Sequence, residues 1–568
     1  MKRFFSLILF IAVIGGAAYL LSMNLRKEPD PVDFVPADSM ALVDWSAPAG
    51  AYSRFQATTL GSQLVDTDWS LALQALGFSG AQCTELRQKA QQVKGVVQSP
   101  LFKELFGRRA VLALLTDEKK EIDLAPALLA RKFVLLLKPK HNASLVELSS
   151  IFIAGDYQVD NEVYQGFSIK TFTLENKLSI SVANADGILV AALSPDPVKK
   201  CLDNALELVI RGDIGIKSNM TYAGLKKRSR NKDDLFIYLD LSRIKSLTVK
   251  NDTFVQPAVP LIKTDPTYKG VTTAVFYHIS RNDTEQFTSI VQFDEEQLAP
   301  FQGTIYRRRP IDNRKLKSMP ADLLVYFWTN WLDLATWWKT TEQSSIGTEA
   351  DAAMRLEKWV EENIGREMQS FLSMFGREFF FYVKEIKTSG FFPVPRICMC
   401  MEVREPKAIS ELLEKTIVDL PVRRDKVAGI SVVSVMVAGG LMQPSYALYE
   451  NFLILADGRD LIESILLPGA KVLVTDQDFK KVDMGFQQQN NMTVFIRTAG
   501  VIEGLKEFVS WLGTIIAIRD EKAGKQSKII IDRIVLPLLD SLKMFRAKGV
   551  RSYTSEGELV LESTILTQ

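Results

Sequence analysis

Short apolar runs, many with a two-residue period, alternate along the chain with stretches of helical spacing. Strand character marks Ser39 to Trp45, Arg109 to Leu115, Phe133 to Leu137, Gln165 to Leu174 and Leu178 to Ala183. The tetrapeptide NADG at 184–187 turns into Ile188 to Leu193, a hairpin signal. Helices are predicted over Tyr52 to Leu64, Trp69 to Leu76, Cys83 to Phe106 with a break near Pro100, Ala143 to Phe152, and from Pro195 to about Val209. Leu235 to Leu239 reads as a strand, Thr253 to Ile262 as a short helix, and Gly270 to Ile279 with Phe287 to Phe293 as a hairpin around SRNDT. Antiparallel hairpins interspersed with helices give an α+β fold class.

The same order then recurs. Leu323 to Trp328 stands for Ala41 to Trp45, and Phe375-Gly376-Arg377 for Phe106-Gly107-Arg108, each triplet leading into a strand. Ile397 to Val403 matches Phe133 to Leu137, helix 407–417 matches 143–152, and the hairpin at 445–456 answers the one around NADG. Helix 460–467, strand Thr493 to Arg497 and the pair Lys548-Gly549 answer helix 197–207, Phe236 to Leu239 and Lys269-Gly270. Persistence of order over this length indicates internal duplication. The two Ala-Asp-Gly tripeptides, 185–187 and 456–458, fall on opposite sides of their strands and read as turns rather than as equivalent sites.

Between the copies lies LAPFQGTIYRRRPIDNRKLKSM, 298–319. It bears two prolines and a basic run and lacks a sustained apolar period, so it reads as a connector. At the other extreme, Phe4 to Leu25 is charge-free and apolar, flanked by Lys2 and Arg3 before and Arg26 and Lys27 after. At 1.5 Å per residue such a run spans roughly 30 Å, the thickness of a bilayer core. The expected organisation is therefore a tail at 1–3, a transmembrane anchor at 4–25, a spacer at 26–36, a first α+β repeat at 37–297, the basic connector at 298–319 and a second repeat at 320–568.

Composition narrows the function classes. With 47% hydrophobic and 24% charged residues the chain is globular, and 69 basic against 67 acidic side chains leave a net charge of +2, too little to recruit nucleic acid. Only His141 and His278 offer imidazole chemistry. Of the four cysteines, Cys398 and Cys400 sit two apart on a strand, so they face one way and form neither a redox nor a zinc pair. Cys83 and Cys201 have two readings, a bridge in an oxidising compartment or buried unpaired thiols. Ser229 and Lys232 match the SxxK spacing of serine–lysine hydrolases but lie in the polar run KKRSRNKDD, without an apolar setting to lower the lysine pKa. Five N-x-S/T sequons occur, at Asn142, Asn219, Asn251, Asn282 and Asn491. No catalytic set, cofactor or metal site is expected.

Two clusters remain as candidate surfaces. Read as helical, WTNWLDLATWWKTTEQ (328–343) brings Trp328, Trp331 and Trp338 near one face with Trp337 off it, either packing inside the fold or offering a ligand or partner surface. Arg307, Arg308, Arg309, Arg314, Lys315 and Lys317 of the connector are possible anionic-lipid contacts, beside the plainer reading of solvated loop. Residues 501–518 carry Val501, Leu505, Phe508, Leu512 and Ile515 at helical spacing, which reads as a core or interface helix.

The VPADSMALVDW opening, the Phe-Gly-Arg junctions and the hairpin-then-helix pattern, together with the apolar start, resemble a bacterial family catalogued as domain of unknown function 3352. That resemblance implies a bacterial envelope protein over about residues 35–568 and brings no assigned catalytic residues. The expectation is a noncatalytic, membrane-anchored scaffold or binding protein, single-pass in the inner membrane with its body in the periplasm. Its partners would be the membrane, through the N-terminal helix, and an envelope protein or lipid. The alternatives are an envelope hydrolase acting on lipid or cell-wall material, and a holdase-like factor for exported chains.

Overall fold

Strand pairing organises this chain. The structure, a computed structural model, describes residues 29–116, 121–123, 130–141, 158–173, 179–211, 215–230, 233–246, 248–250, 268–344, 348–387, 393–437, 442–469 and 471–568. It divides into two compact units: one drawn from Met1–Ala49, Ser99–Lys227 and Val249–Asn251, the other from Gly50–Gln98, Arg228–Thr248 and Asp252–Gln568.

In the first unit seven strands form an antiparallel sheet: β1 (Ala41–Ser46), β2 (Arg109–Leu114), β3 (Phe133–Lys138), β4 (Gln158–Tyr164), β5 (Phe167–Thr173), β6 (Ser179–Ala185) and β7 (Ile188–Ala192). Their spatial order is β1-β2-β3-β7-β6-β5-β4. Asp186 and Gly187 both take positive φ at the β6–β7 turn, which is why the sequence needs Asp-Gly there. The helix Pro195–Arg211 covers the sheet through Val198, Cys201 and Leu202, all fully buried.

The second unit contains β8 (Leu235–Asp240), β9 (Val271–Arg281), β10 (Thr284–Phe293), β11 (Val325–Thr329), β12 (Phe375–Lys387), β13 (Val394–Val403), β14 (Val422–Val427), β15 (Ile430–Val435), β16 (Ser445–Tyr449), β17 (Phe452–Ala456), β18 (Met492–Arg497), β19 (Phe545–Ser555) and β20 (Glu558–Thr567). They pair antiparallel in the order β8-β9-β10-β20-β19-β18-β11-β12-β13-β17-β16-β15-β14. Its last seven strands repeat the order of the first unit strand for strand. Its first six are two equivalent three-strand sets joined through β10 and β20. That joint runs from Thr284 opposite Leu566 to Gln292 opposite Glu558, so Thr288 and Glu562, each four residues into its strand, face one another. Such a ladder maps onto itself under a half-turn, as isologous contacts do.

The ladders also correct the alignment of the copies. Counting from the Phe-Gly-Arg triplets, Val111 takes the place of Phe380. Their partners Asp44 and Trp328 are therefore equivalent, and Trp45 is displaced to the opposite, half-exposed face. Gly549 likewise corresponds to Val275, not Gly270. It lies mid-strand where an added Cβ would meet the Val482 carbonyl oxygen and the Phe486 ring, both at 2.7 Å, whereas Gly270 has φ +78° ahead of its strand.

Two expected connecting segments are folded. Residues 31–34 of the expected spacer form a 3-10 turn that buries Val32 and Phe34, with Val35 buried beside it. In the connector, Pro300–Tyr306 is helical, Ile311–Asp312 pairs with Gln489–Asn490, and Arg314–Ser318 is a 3-10 turn burying Leu316, with Met319 buried after it. The helices expected at 143–152 and 253–262 lie outside the described residues.

The membrane part of the expected architecture is corrected. Among the described residues no helix is long and apolar enough to cross a membrane. The longest apolar candidate, Thr498–Arg519, is interrupted by Glu503, Lys506 and Glu507. The stretch 4–25 lies outside the described residues. The fold described is mixed α+β with large antiparallel sheets. The transmembrane anchor, the single-pass inner-membrane placement with a periplasmic body, and membrane partnership through that helix form no part of it.

A buried ionic cluster ties the start of the first unit to its sheet. Asp44 accepts from Arg109 Nε at 2.7 Å and Nη2 at 2.6 Å and from Lys226 Nζ at 2.9 Å, while Arg109 Nη1 reaches Asp30 at 2.8 Å and Lys217 bridges Asp30 and Asp33. Burial alone would raise the Asp44 carboxyl, but the two cations outweigh it and hold it below the ordinary value of 3.8. A carboxylate depressed in the native state adds stability above its unfolded pKa, and that stability is lost as pH falls through the native pKa. Asp44→Asn is expected to cost about 3–5 kcal/mol at pH 7, because Lys226 stays buried without its counter-charge and Arg109 keeps only Asp30. Urea titration at pH 7 and below pH 3.8 checks this: the deficit should be largest at neutral pH and shrink in acid.

Candidate functional site

The position equivalent to Asp44 is Trp328, and the position equivalent to Arg109 is Glu378. The second unit has thus replaced a buried ion pair by a buried indole whose Nε1 donates to Glu378 Oε2 at 3.2 Å. Burial raises the Glu378 carboxyl; the indole bond opposes this, and Glu402 reinforces it. Glu402 is itself fixed: its Oε2 accepts from the backbone N–H of Arg377 at 2.7 Å and Glu378 at 3.0 Å, and a Cβ on Gly376 would strike it. The Phe-Gly-Arg junction therefore serves carboxylate placement as well as strand entry.

Opposite this sheet runs the strap 298–319, held by buried amides. Asn491 Nδ2 donates to the Arg308 carbonyl at 3.0 Å and to Asn330 Oδ1 at 3.0 Å, and Asn330 Nδ2 donates to the Arg309 carbonyl at 3.2 Å. Asn313 Nδ2 donates to Thr493 Oγ1 at 2.9 Å, and its Oδ1 accepts from Tyr326 OH at 3.1 Å. The sequence pattern missed this anchoring because it uses side-chain amides and irregularly spaced apolar residues. The sequon residue Asn491 is fully buried.

Two cavities flank the strap at Ile311. One, about 610 Å³, is lined by Leu298, Gly303, Thr304, Arg307, Arg308 and Arg309 from the strap and by Arg377 from β12, among others. The other, about 660 Å³, has mixed charge and is lined by Asp312, Arg314, Lys315, Glu378 and Glu450 with Phe452 and Gln489. Lys315 pairs with Glu450 at 2.5 Å and lies over the Tyr449 and Phe452 rings. The basic run is thereby divided: Arg307, Arg308 and Arg309 converge on one cavity, Arg314 and Lys315 on the other, while Lys317 is exposed and lines neither.

The tryptophans are divided as well. The chain is a strand through Thr329 and helical only from Leu334, so a single helical face over 328–343 does not exist. Trp328 and Trp338 are core residues, the latter donating to Glu357 Oε1 at 2.9 Å, and Trp331 is half-buried with its Nε1 unpartnered. Trp337, which the spacing set aside, is 48% exposed, and Trp359 of the helix Thr348–Ile364 is 55% exposed.

The residues weighed for chemistry have structural roles. All four cysteines are free and buried, and Cys398 and Cys400 share the inner face of β13. Burial raises both the Cys201 and Cys400 thiols. His278 Nε2 lies 2.5 Å from Glu285 Oε2, and His141 Nδ1 lies 3.1 Å from Glu104 Oε2 on the surface. Ser229 donates to Asp233 at 2.6 Å; Lys232 lies outside the described residues.

A different surface emerges on the helix Thr498–Arg519. Ile502 and Gly504 are buried, and a Cβ on Gly504 would overlap Ile386 of β12. Between these two positions on the helix surface, Leu505, Phe508 and Leu512 are 43%, 45% and 40% exposed. With half-buried Val501 and Ile515 they continue a 4-3-4-3 spacing, the seam pattern of helices that pack on other helices.

Comparison with known proteins places little beside this chain. No protein-family profile and no curated protein matches it. Solved structures of TP0453 do: crystal form III aligns over 49% of this chain and 84% of its own at 11% identity with a TM-score of 0.27, and crystal form I over 49% and 85% at 11% identity with a TM-score of 0.23. A likeness of that extent supports no argument about function.

Since a carboxyl raised by burial destabilises the native state where it is ionised, Glu378→Gln should stabilise the protein at pH 7 while keeping an acceptor for the Trp328 indole. A melting temperature higher by a few degrees is expected, with the advantage disappearing in acid as wild-type Glu378 takes up its proton. Thermal unfolding followed at pH 7 and pH 4 measures both.

Proposed function

We propose that this protein is a noncatalytic scaffold that binds another protein by receiving an amphipathic helix along the helix Thr498–Arg519. One observation carries the reading: Val501, Leu505, Phe508, Leu512 and Ile515 keep heptad spacing over two repeats, and the middle three are exposed on a helix already seated on its sheet by Ile502 and Gly504. A stripe meant only for the core would be packed against that sheet. Here the packing is done on either flank, by Gly504 against Ile386 of the sheet and by Gly513 and Ala517 against Ile531 and Gly524 of the helical segment that follows, and the seam stays available to knobs from a further helix. Phe508 and Trp511, 5.7 Å apart, add aromatic area of the kind that anchors protein contacts. Glu503, Glu507 and Ser510 occupy the polar face and the side at Gly513 and Ala517 is covered by Glu521–Ile530 and Ile531–Val535, so a partner helix has one open seat. This reading departs from the enzymatic alternative because the buried acids and thiols hold the fold together and the exposed stripe has no such role.

The test compares two forms of the full chain. Leu505→Glu with Leu512→Glu places charge on the seam at exposed positions, where substitutions ordinarily change stability by no more than about 0.5 kcal/mol each. Affinity capture from the native host should enrich a helical partner with the wild type and at least tenfold less with the double variant, at equal melting temperature. Equal capture by both forms would reject the seam as the contact.

A further inference from the structure

We infer that the cavity between the strap and β12 is a binding site for a phosphate group, held between the guanidinium groups of Arg308 and Arg377. The inference rests on the donors rather than on the seam helix and stands independently of it.

Arg308 is carried into the cavity by backbone that cannot move aside. Its carbonyl accepts from Asn491 Nδ2 and from Thr554 Oγ1, two side chains rooted beside and on the central strands. Its guanidinium is half-buried, and among the described residues no carboxylate forms an ion pair with it. Its Nε is buried without any partner, and so is the Nε of Arg377. Arg377 has one counter-ion, Asp333 at 3.0 Å, through Nη2. Burial is the main influence lowering the proton affinity of Arg308, the neighbouring Arg377 charge adds to it, and the nearby carboxylates Glu402, Glu378 and Asp333 only partly oppose them. Two guanidinium groups are thus held close together in partly desolvated surroundings, with Asp333 as the one directly paired acid among the described residues and Glu378 and Glu402 acting from farther off. Arg307 and Arg309 line the same space, and Arg307 is fixed over it by donating to the Glu295 carbonyl.

Cationic forks with unused donors suit a tetrahedral oxyanion, which accepts from both at once and relieves their repulsion. A tetrahedral phosphate suits this wall better than a planar carboxylate, since its oxygens can accept from Arg308 and Arg377 at once while Arg307 and Arg309 add charge from the same side. Thr304 offers a neutral hydroxyl on the same wall. At about 610 Å³ the cavity exceeds one phosphate, and Leu298, Ala299 and Ile311 make the rest of its wall apolar. The ligand class is therefore a phosphomonoester or phosphodiester attached to a less polar body, whether a small metabolite or the headgroup of a phospholipid.

Calorimetric titration of the full chain with inorganic phosphate and with glycerol phosphate at constant ionic strength tests the site. Flotation with vesicles of phosphatidylglycerol in phosphatidylcholine, against phosphatidylcholine alone, tests the lipid source. Saturable binding of the soluble esters, weakened at least tenfold by Arg308→Met and unchanged by Arg314→Met in the other cavity, is the expected result for a small-molecule ligand. Flotation with the anionic vesicles that Arg308→Met abolishes, without binding of the soluble esters, identifies a lipid headgroup instead and still supports the site. Arg308→Met should melt no lower than the wild type, because it removes a buried charge that repels Arg377, so loss of binding cannot be ascribed to unfolding. Absence of both kinds of binding, or binding that persists in Arg308→Met, overturns the assignment.

Discussion

The antiparallel pairing of β10 with β20 is the constraint on which the large sheet of the second unit depends. Each is the last strand of its copy, and each would otherwise expose a row of unpaired N–H and C=O groups. Because the two strands are equivalent, one register satisfies both, with Thr288 opposite Glu562 at its centre. The ladder lets a three-strand set from the first copy and a ten-strand run from the second share a sheet without further adaptation. It also explains why the compact units do not follow the halves of the sequence: β8, β9 and β10 belong with the second copy by pairing, although they precede the strap in the chain.

Two sets of seven strands pair in the same order, and a difference at a pair of equivalent positions gives them different interiors. In the first unit Asp44 and Arg109 are an ion pair neutralised further by Lys226. In the second, Trp328 and Glu378 occupy the same ladder positions, with an indole donor and a carboxyl raised by burial. The cost of a buried charge is met in the first by excess cations and in the second by a neutral donor and partial exposure. That change also alters the surroundings. The acidic side of the Phe-Gly-Arg junction, Glu378 with Glu402, faces the strap, whose arginines fill the space on its other flank.

The strap is where local pattern and tertiary structure part most clearly. Its prolines and basic run have the composition of a solvated connector, and its buried apolar residues Leu316 and Met319 belong to no sustained period. It is nonetheless pinned by Asn313, Asn330 and Asn491, whose amides satisfy backbone groups that a buried loop would otherwise leave unpaired. No periodicity rule detects an asparagine that pairs with a carbonyl nearly two hundred residues away. The tryptophan cluster fails for a related reason. Helical spacing does not carry across the strand-to-helix boundary at residues 330–333, and Trp328 and Trp338 lie in the core while Trp337 is at the surface.

Local pattern was enough to read the mixed α+β character, the repeated order of strands, the tight turn at Asp186-Gly187 and the heptad stripe on 498–519, but not the fold class as expected, since the described residues hold no membrane-spanning helix. Each depends on interactions within a few residues or on a period that the chain carries locally. Only the tertiary structure decided which residues of the copies are equivalent, because ladder register is set by cross-strand pairing and a one-residue offset, as between Trp45 and Trp328, moves a side chain to the opposite face. It alone decided that Arg308 and Arg377 meet, since two cations become a site only when backbone fixed elsewhere prevents them from separating.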